Sequence, residues 1–365
     1  MKKFLSLCWL PALLLSQCKT AQPVIAGTGS LQASITKEGF FDCFEAGLTT
    51  GGQPVWCEAS AVLYDGSKMF FANDKDMPDQ RTSVFYWTLK RGLPDTSKEA
   101  VYLTNPVFRS GKKFEDFACT PDNRIIFLST AFDRIKPGST DWNSYNTIFY
   151  WQAGNENDPR VLSATHTDST SVFLRDRISK VLASPAFPEG MPYFKIEGLA
   201  ATEDKLYFGI REEGKKFDDF SYKVKIVSVG FHIAGGAIEL GDDYKVITDF
   251  NVAAAQPAIT EKVGISSIEF DRFNNRFLIL TSYENGDKLG SYLWSATLKE
   301  LQNNRLQPVK GAGGRQISFS HKGEDLAIIS RSKILVIHDD DRVKTSVNGQ
   351  VRQPQQAAYS VVEFK

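Results

Sequence analysis

The chain has 365 residues, with 43 Lys plus Arg balanced by 43 Asp plus Glu, so its formal net charge is zero. No basic block is longer than two residues, as at Lys112-Lys113 and Lys215-Lys216, and a nucleic-acid partner is not expected without a basic stripe. Hydrophobic residues make up 42% and aromatic residues 12%, ample for the core of one large domain.

The amino terminus reads as an address. Lys2 and Lys3 precede an apolar run from Phe4 to Leu15, too short to span a bilayer and of the length of a signal-peptide core. The run ends in Leu15-Ser16-Gln17-Cys18, which resembles a bacterial lipobox, so residues 1–18 are expected to be a lipoprotein-type signal with Cys18 as the lipidation site. Gln17 departs from that pattern, where a small residue usually stands, and Val24-Ile25-Ala26 offers an ordinary cleavage site as the alternative. Both readings place the protein in the extracytoplasmic cell envelope, lipid-anchored or secreted, with the membrane met only through the anchor. Residues 19–30 read as a tether and 31–365 as the domain, expected to be a monomer. Besides Cys8 and Cys18, the cysteines are Cys43, Cys57 and Cys119, so at most one disulfide closes within the domain. Proximity favours Cys43–Cys57, and Cys119 reads as a buried small hydrophobe.

From Leu31 to Thr36 a first strand is available to close a ring against the end of the chain. Five polar-led apolar strands follow, at Cys57–Val62, Phe114–Ala118, Ile196–Ala200, Ser267–Asp271 and Arg315–Phe319. Each reaches a second strand across a short turn: Met69–Phe71, Ile125–Leu128, Leu206–Phe208, Phe277–Leu280 and Leu326–Ile329. Third strands are aromatic at Val84–Trp87, Ile148–Trp151 and Ser291–Trp294, and aliphatic at Val224–Val227 and Ile334–Ile337. Fourth strands follow at Ala100–Leu103, Arg160–Ser163, Tyr244–Ile247, Leu306–Val309 and Ser360–Glu363. A four-stranded unit repeated at roughly 50–80 residues is the signature of radial blades. The expected fold is all-β: a single β-propeller of five four-stranded blades, six if the N-terminal stretch and the C-terminal strand make a degenerate blade. One segment breaks the pattern. The apolar spacing of residues 169–184 suits an amphipathic helix inserted between the second and third blades.

In a propeller the first strand of each blade lines the axis, so equivalent positions converge. On this reading Glu58, Glu115, Asp116, Glu197 and Glu269 form an acidic ring, with Gln316 as the fifth blade's representative. Such a ring needs a balancing cation, and calcium, which takes six to eight oxygen ligands, is the expected cofactor. The ends of the second strands contribute Asn73, Asp74, Arg211 and Arg331, and the two arginines offer an anion-binding alternative. The competing reading is structural, with blade-start carboxylates accepting backbone amides of the next blade. No Gly-x-Ser-x-Gly elbow or phosphate-binding glycine loop is present, and the four histidines have no ligand spacing.

The run Ile196-Glu197-Gly198-Leu199-Ala200 with Leu206-Tyr207-Phe208-Gly209-Ile210-Arg211, and Glu58-Ala59-Ser60 with Asn73-Asp74, resembles the esterase-like phytase propeller family and its bacterial secreted relatives. The similarity covers most of residues 55–335. It implies a propeller outside the cytoplasm and, by analogy, calcium-dependent hydrolysis of phosphate or other esters. Three readings therefore stand: recognition of an unidentified small molecule or protein at one face, phytase-like hydrolysis with the carboxylates holding calcium and Arg211 orienting the anion, and a purely structural envelope protein with neither metal nor pocket.

Overall fold

Runs such as Ile125-Ile126-Phe127-Leu128 put apolar side chains on both faces of a strand, and such a strand needs cover on both sides. The computed structural model, which describes residues 30–365 except 79, 80, 91, 96, 97, 137, 166, 167 and 341–344, supplies that cover by stacking small antiparallel sheets around an axis. Cys18, the leader and nearly all of the tether lie outside the described residues.

Five blades are present. Their inner strands are Ala59–Tyr64, Phe114–Cys119, Tyr193–Ala201, Gly264–Asp271 and Gly323–Ser330. Each inner strand packs on the next, and the fifth packs on the first. Every gap between neighbouring blades holds its own apolar cluster, so five separate cores replace a single one. Neighbouring residues enter different gaps: Phe127 packs between blades two and three, whereas Ile126 and Leu128 pack between blades one and two.

The ring is closed by the ends of the chain. Ala33–Asp42 forms the outer strand of blade five, antiparallel to Gln356–Phe364, with Ala33 opposite Phe364 and Phe41 opposite Ala357. The expected N-terminal closure is therefore correct, and it belongs to a fifth blade rather than a sixth. A disulfide between Cys43 and Cys57 then ties this strand to the start of blade one.

The order of strands in blade five corrects the sequence reading. Leu326–Ile329 lies in the innermost strand, Lys333–His338 is second, Gln356–Phe364 third, and the N-terminal strand fourth. The segment Arg315–Phe319 belongs instead to the edge of blade four, where Ser318 and Phe319 pair with Tyr292 and Ser291. The inserted helix spans Val172–Val181, inside the expected 169–184, and buries Leu174, Arg175 and Ile178 against the gap between blades two and three. Among the described residues no helix is long and apolar enough to cross a membrane.

The two faces differ. One carries the long connections, among them 43–58, 131–147, 162–192 and 339–355, while the other closes each inner strand by a short turn. We call them the looped face and the turn face.

Candidate functional site

Near its start, on the looped face, each inner strand is interrupted by one unpaired residue: Ser60, Glu115, Glu197, Ser266 and Glu324. A bulge re-aims the side chain that it carries. Because it recurs in all five blades, it also fixes equivalent positions. Two residues earlier stand Glu58, Lys113, Lys195, Gly264 and Lys322, and one residue later Ala61, Asp116, Gly198, Ser267 and Asp325. Blades two, three and five thus share Lys-x-Glu followed by Asp or Gly, at Lys113-Phe114-Glu115-Asp116, Lys195-Ile196-Glu197-Gly198 and Lys322-Gly323-Glu324-Asp325.

The five expected metal carboxylates consequently do not share a level. Glu115 and Glu197 are equivalent, Glu58 sits where three of the other blades have lysine, and Asp116 lies one step deeper. Glu269 lies three residues past its bulge, in a small crevice with Leu63, Cys119 and Arg272. Gln316 is not on an inner strand; its Nε2 donates to the Leu293 carbonyl at 3.2 Å. The fifth blade's acids are Glu324 and Asp325, which the strand-by-strand reading passed over. The recurring Lys-x-Glu was the signal that could have found them.

Cations from the same chain fill the mouth. Lys195 Nζ lies 3.4 Å from Glu115 and also contacts Glu197, so an ammonium sits between the two carboxyls. Arg211 approaches Glu197 at 3.1 Å and donates to Ser282 Oγ at 2.9 Å. It also explains Gly264, because a Cβ there would meet Arg211 Cγ at 2.6 Å. The arginine of blade three thus stands where blade four lacks a lysine. Lys322 pairs with Glu324 at 2.9 Å and Glu284 at 3.2 Å, Lys113 with Asp133 at 3.0 Å, and Lys75 with Glu58 at 2.8 Å and Asp74 at 3.1 Å. Among the described residues no group of three or more His, Cys, Asp or Glu side chains is placed to hold a metal ion.

The other expected ligand residues separate. Asn73 is buried, with Nδ2 on the Met77 thioether at 3.2 Å, and Asp74 is held by Lys75. Arg331 is an exposed residue of the turn face, its carbonyl accepting from Asn274 Nδ2 at 2.9 Å. It lies seven residues beyond Glu324 along an extended strand, roughly 20 Å away. Arg331 and Arg211 therefore occupy opposite faces and cannot grip one anion.

Below the mouth, the Asp116 and Asp325 carboxyl groups lie close enough to act on each other's protonation. Asp116 Oδ2 accepts from the Leu199 amide at 2.7 Å and the Ile268 amide at 3.5 Å. Asp325 accepts from the Val62 amide at 2.6 Å and Ser267 Oγ at 2.7 Å. Between them the two acids reach blades one, three and four from their own blades two and five. The structural role foreseen for blade-start acids is thus carried by this deeper pair.

Burial pushes Glu115 up to about 8 despite Lys195 and Lys113, and Glu324 up to about 7 despite Lys322. It also raises Asp325 to about 7, and Asp116 well above the usual range with the Asp325 charge adding to the effect. Glu197 goes the other way: burial would raise it, but Arg211 and then Lys195 bring it down to about 2. The raised groups stabilise the fold fully below the unfolded values of 3.8 to 4.5, and that contribution is lost as pH rises through about 7 to 8. Glu197 contributes above 4.5, and its share is lost as pH falls toward about 2. The urea midpoint should therefore be higher at about pH 5 than at about pH 8, and Glu115→Gln should flatten the slope. Equal slopes in wild type and variant would show that Glu115 does not hold its proton in the fold.

No family model and no curated protein matches the chain. Solved structures with a similar course include a putative glycosidase from Bacteroides thetaiotaomicron, 10% identical over 93% of this chain and 95% of that one, with a TM-score of 0.42. The α-L-arabinofuranosidase of Podospora anserina in complex with cellotriose is 10% identical over 91% and 97%, with a TM-score of 0.37. The PQQ-bound aldose sugar dehydrogenase of Streptomyces coelicolor is 12% identical over 89% and 98%, at 0.35. Likeness this remote carries no argument about activity.

Beside the mouth, where Lys113 pairs with Asp133, lies a cleft of about 390 Å³ lined by Asp133, Arg134 and Tyr193 among others. Nothing in the repeat foretold it, because most of its wall comes from connections rather than from strands of the ring.

Proposed function

We propose that this protein is an exported propeller that recognises a ligand on its looped face, while the axial carboxyls lock the blades together. What carries this reading is the Lys195 ammonium between Glu115 and Glu197, in the place that an axial cation would take. Calcium at the mouth would have to displace Lys195 and the protons on Glu115 and Glu324. Ester hydrolysis of the phytase type would need that same displacement. Export is supported by the lipobox-like leader and by the Cys43–Cys57 disulfide, a bond that persists in oxidising compartments. Fractionation of cells expressing Cys18→Ala checks the anchor: release from the membrane fraction is expected, and unchanged retention would remove it.

Hydrogen exchange tests the face and the metal together, run with and without calcium chloride and with hits from a thermal-shift screen. Protection by hits is expected in connections of the looped face such as 131–147 and 162–192, with no change on adding calcium. Protection confined to the turns at 120–124, 202–204 and 272–275 would overturn the assignment of the face. Calcium-dependent protection at residues 113–116 and 195–198 would make the mouth a metal centre.

A further inference from the structure

The cleft beside the mouth is built from three connections of the looped face. Blade two contributes Asp133, Arg134 and Trp142 from the segment 131–147, and blade three contributes Lys215, Lys216 and Phe217 at the tip of its long hairpin. The inserted helix adds Arg175. Four cations and one carboxylate therefore line it, although the chain as a whole carries as many acids as bases.

The cations are not all neutralised by that acid. Arg134 holds Asp133 with two bonds of 2.9 and 2.6 Å, and Lys113 shares the same carboxylate. Lys216 reaches Asp218 at 3.0 Å. Arg175, only 3% exposed, spends donors on the Phe132 and Pro192 carbonyls and lies 4.4 Å from the centre of the Phe194 ring. Among the described residues no carboxylate lies within 4 Å of Arg175 or of Lys215. Burying a guanidinium with no carboxylate in contact is costly, and burial brings Arg175 down to about 10 against the more distant charges of Asp133 and Asp176.

The aromatic side chains are equally out of place on a solvated surface. Phe217 is 72% exposed and Trp142 42%, and they stand on two different connections. Exposed rings beside surplus positive charge are the chemistry of a site that stacks a ring and holds an acid.

We propose that this cleft binds a small anion bearing a ring, with the acid group held by Lys215 and the arginines and the ring packed on Trp142 and Phe217. This rests on the reading of the looped face as the recognition surface and names its site. An aromatic acid and a sugar acid share the required chemistry.

Calorimetry on the mature chain, supported by Trp fluorescence, tests it with 1-naphthoate and digalacturonate as probes. The uncharged 1-naphthalenemethanol and cellobiose serve as controls. At least one acid should bind with a dissociation constant below about 1 mM, at least about tenfold tighter than its neutral counterpart. Lys215→Glu and Trp142→Ala should each weaken that binding about tenfold or more at unchanged melting temperature. Both positions are at the surface, so folding does not confound the result. The acid that binds identifies the source. Failure of both acids at about 10 mM, equal binding of the neutral controls, or binding indifferent to both variants would overturn the proposal. If screening hits still protect the looped face in that case, the cleft assignment alone falls.

Discussion

Asp325→Ala is expected to lower the stability of the ring by about 4 kcal/mol. Asp325 and Asp116 are both fully buried, and Asp116 Oδ1 receives no hydrogen bond from any amide or hydroxyl. Alanine would strand the Val62 amide, the Ser267 hydroxyl and the Asp116 carboxyl at once, each buried group costing about 1–3 kcal/mol. Relief of repulsion between the two acids offsets part of that sum. Asp325→Asn keeps the shape and an acceptor oxygen, and its side-chain amide can pair with Asp116 as acceptor or as donor. It should lose less than about 2 kcal/mol. Urea unfolding at neutral pH measures both. An alanine variant within about 1 kcal/mol of wild type would mean that the acids do not fasten the blades.

Arg211→Met should cost about 3 kcal/mol at neutral pH. The arginine joins blade three to blade four through Ser282 and the Ile265 carbonyl, and packs 5.0 Å from the centre of the Tyr222 ring. Its removal leaves ionised Glu197 with Lys195 in contact and Lys322 farther off, in a place only 2% exposed. The sign of the pH dependence separates charge from packing. Glu197 is held down to about 2 with Arg211 present, so its share of stability exists above 4.5 and disappears as pH falls. The difference between wild type and variant should therefore shrink between about pH 7 and about pH 3. A difference that stays constant over that range would assign the whole effect to lost packing.

Most of the fold was legible because a propeller repeats one local pattern. Alternating apolar strands with Gly, Asn and Asp turns name the blades, and the helix at residues 172–181 announces itself by its different period. Blade five misled the strand count for a topological reason. Its second and third strands are separated by residues 339–355, and its fourth strand comes from Ala33–Asp42 at the other end of the chain. Filling four places in chain order therefore drew in Arg315–Phe319 from blade four and moved each later strand outward by one. That shift put Gln316 on the axis in place of Glu324 and Asp325, and Arg331 on the wrong face.

The sequence by itself determined the blades, the acid-rich starts of the inner strands and the cysteine pair that proximity favoured, because each depends on residues close together in the chain. Tertiary structure alone decided which charges meet. A bulge recurring in every inner strand sets the levels, so that Glu115 and Glu197 face Lys195, Asp116 faces Asp325, and Glu269 falls away toward the turn face. It also brought Trp142, Arg175 and Phe217 to one cleft from three connections. Loops carry no period that links them, and only closure of the ring fixes where their tips lie.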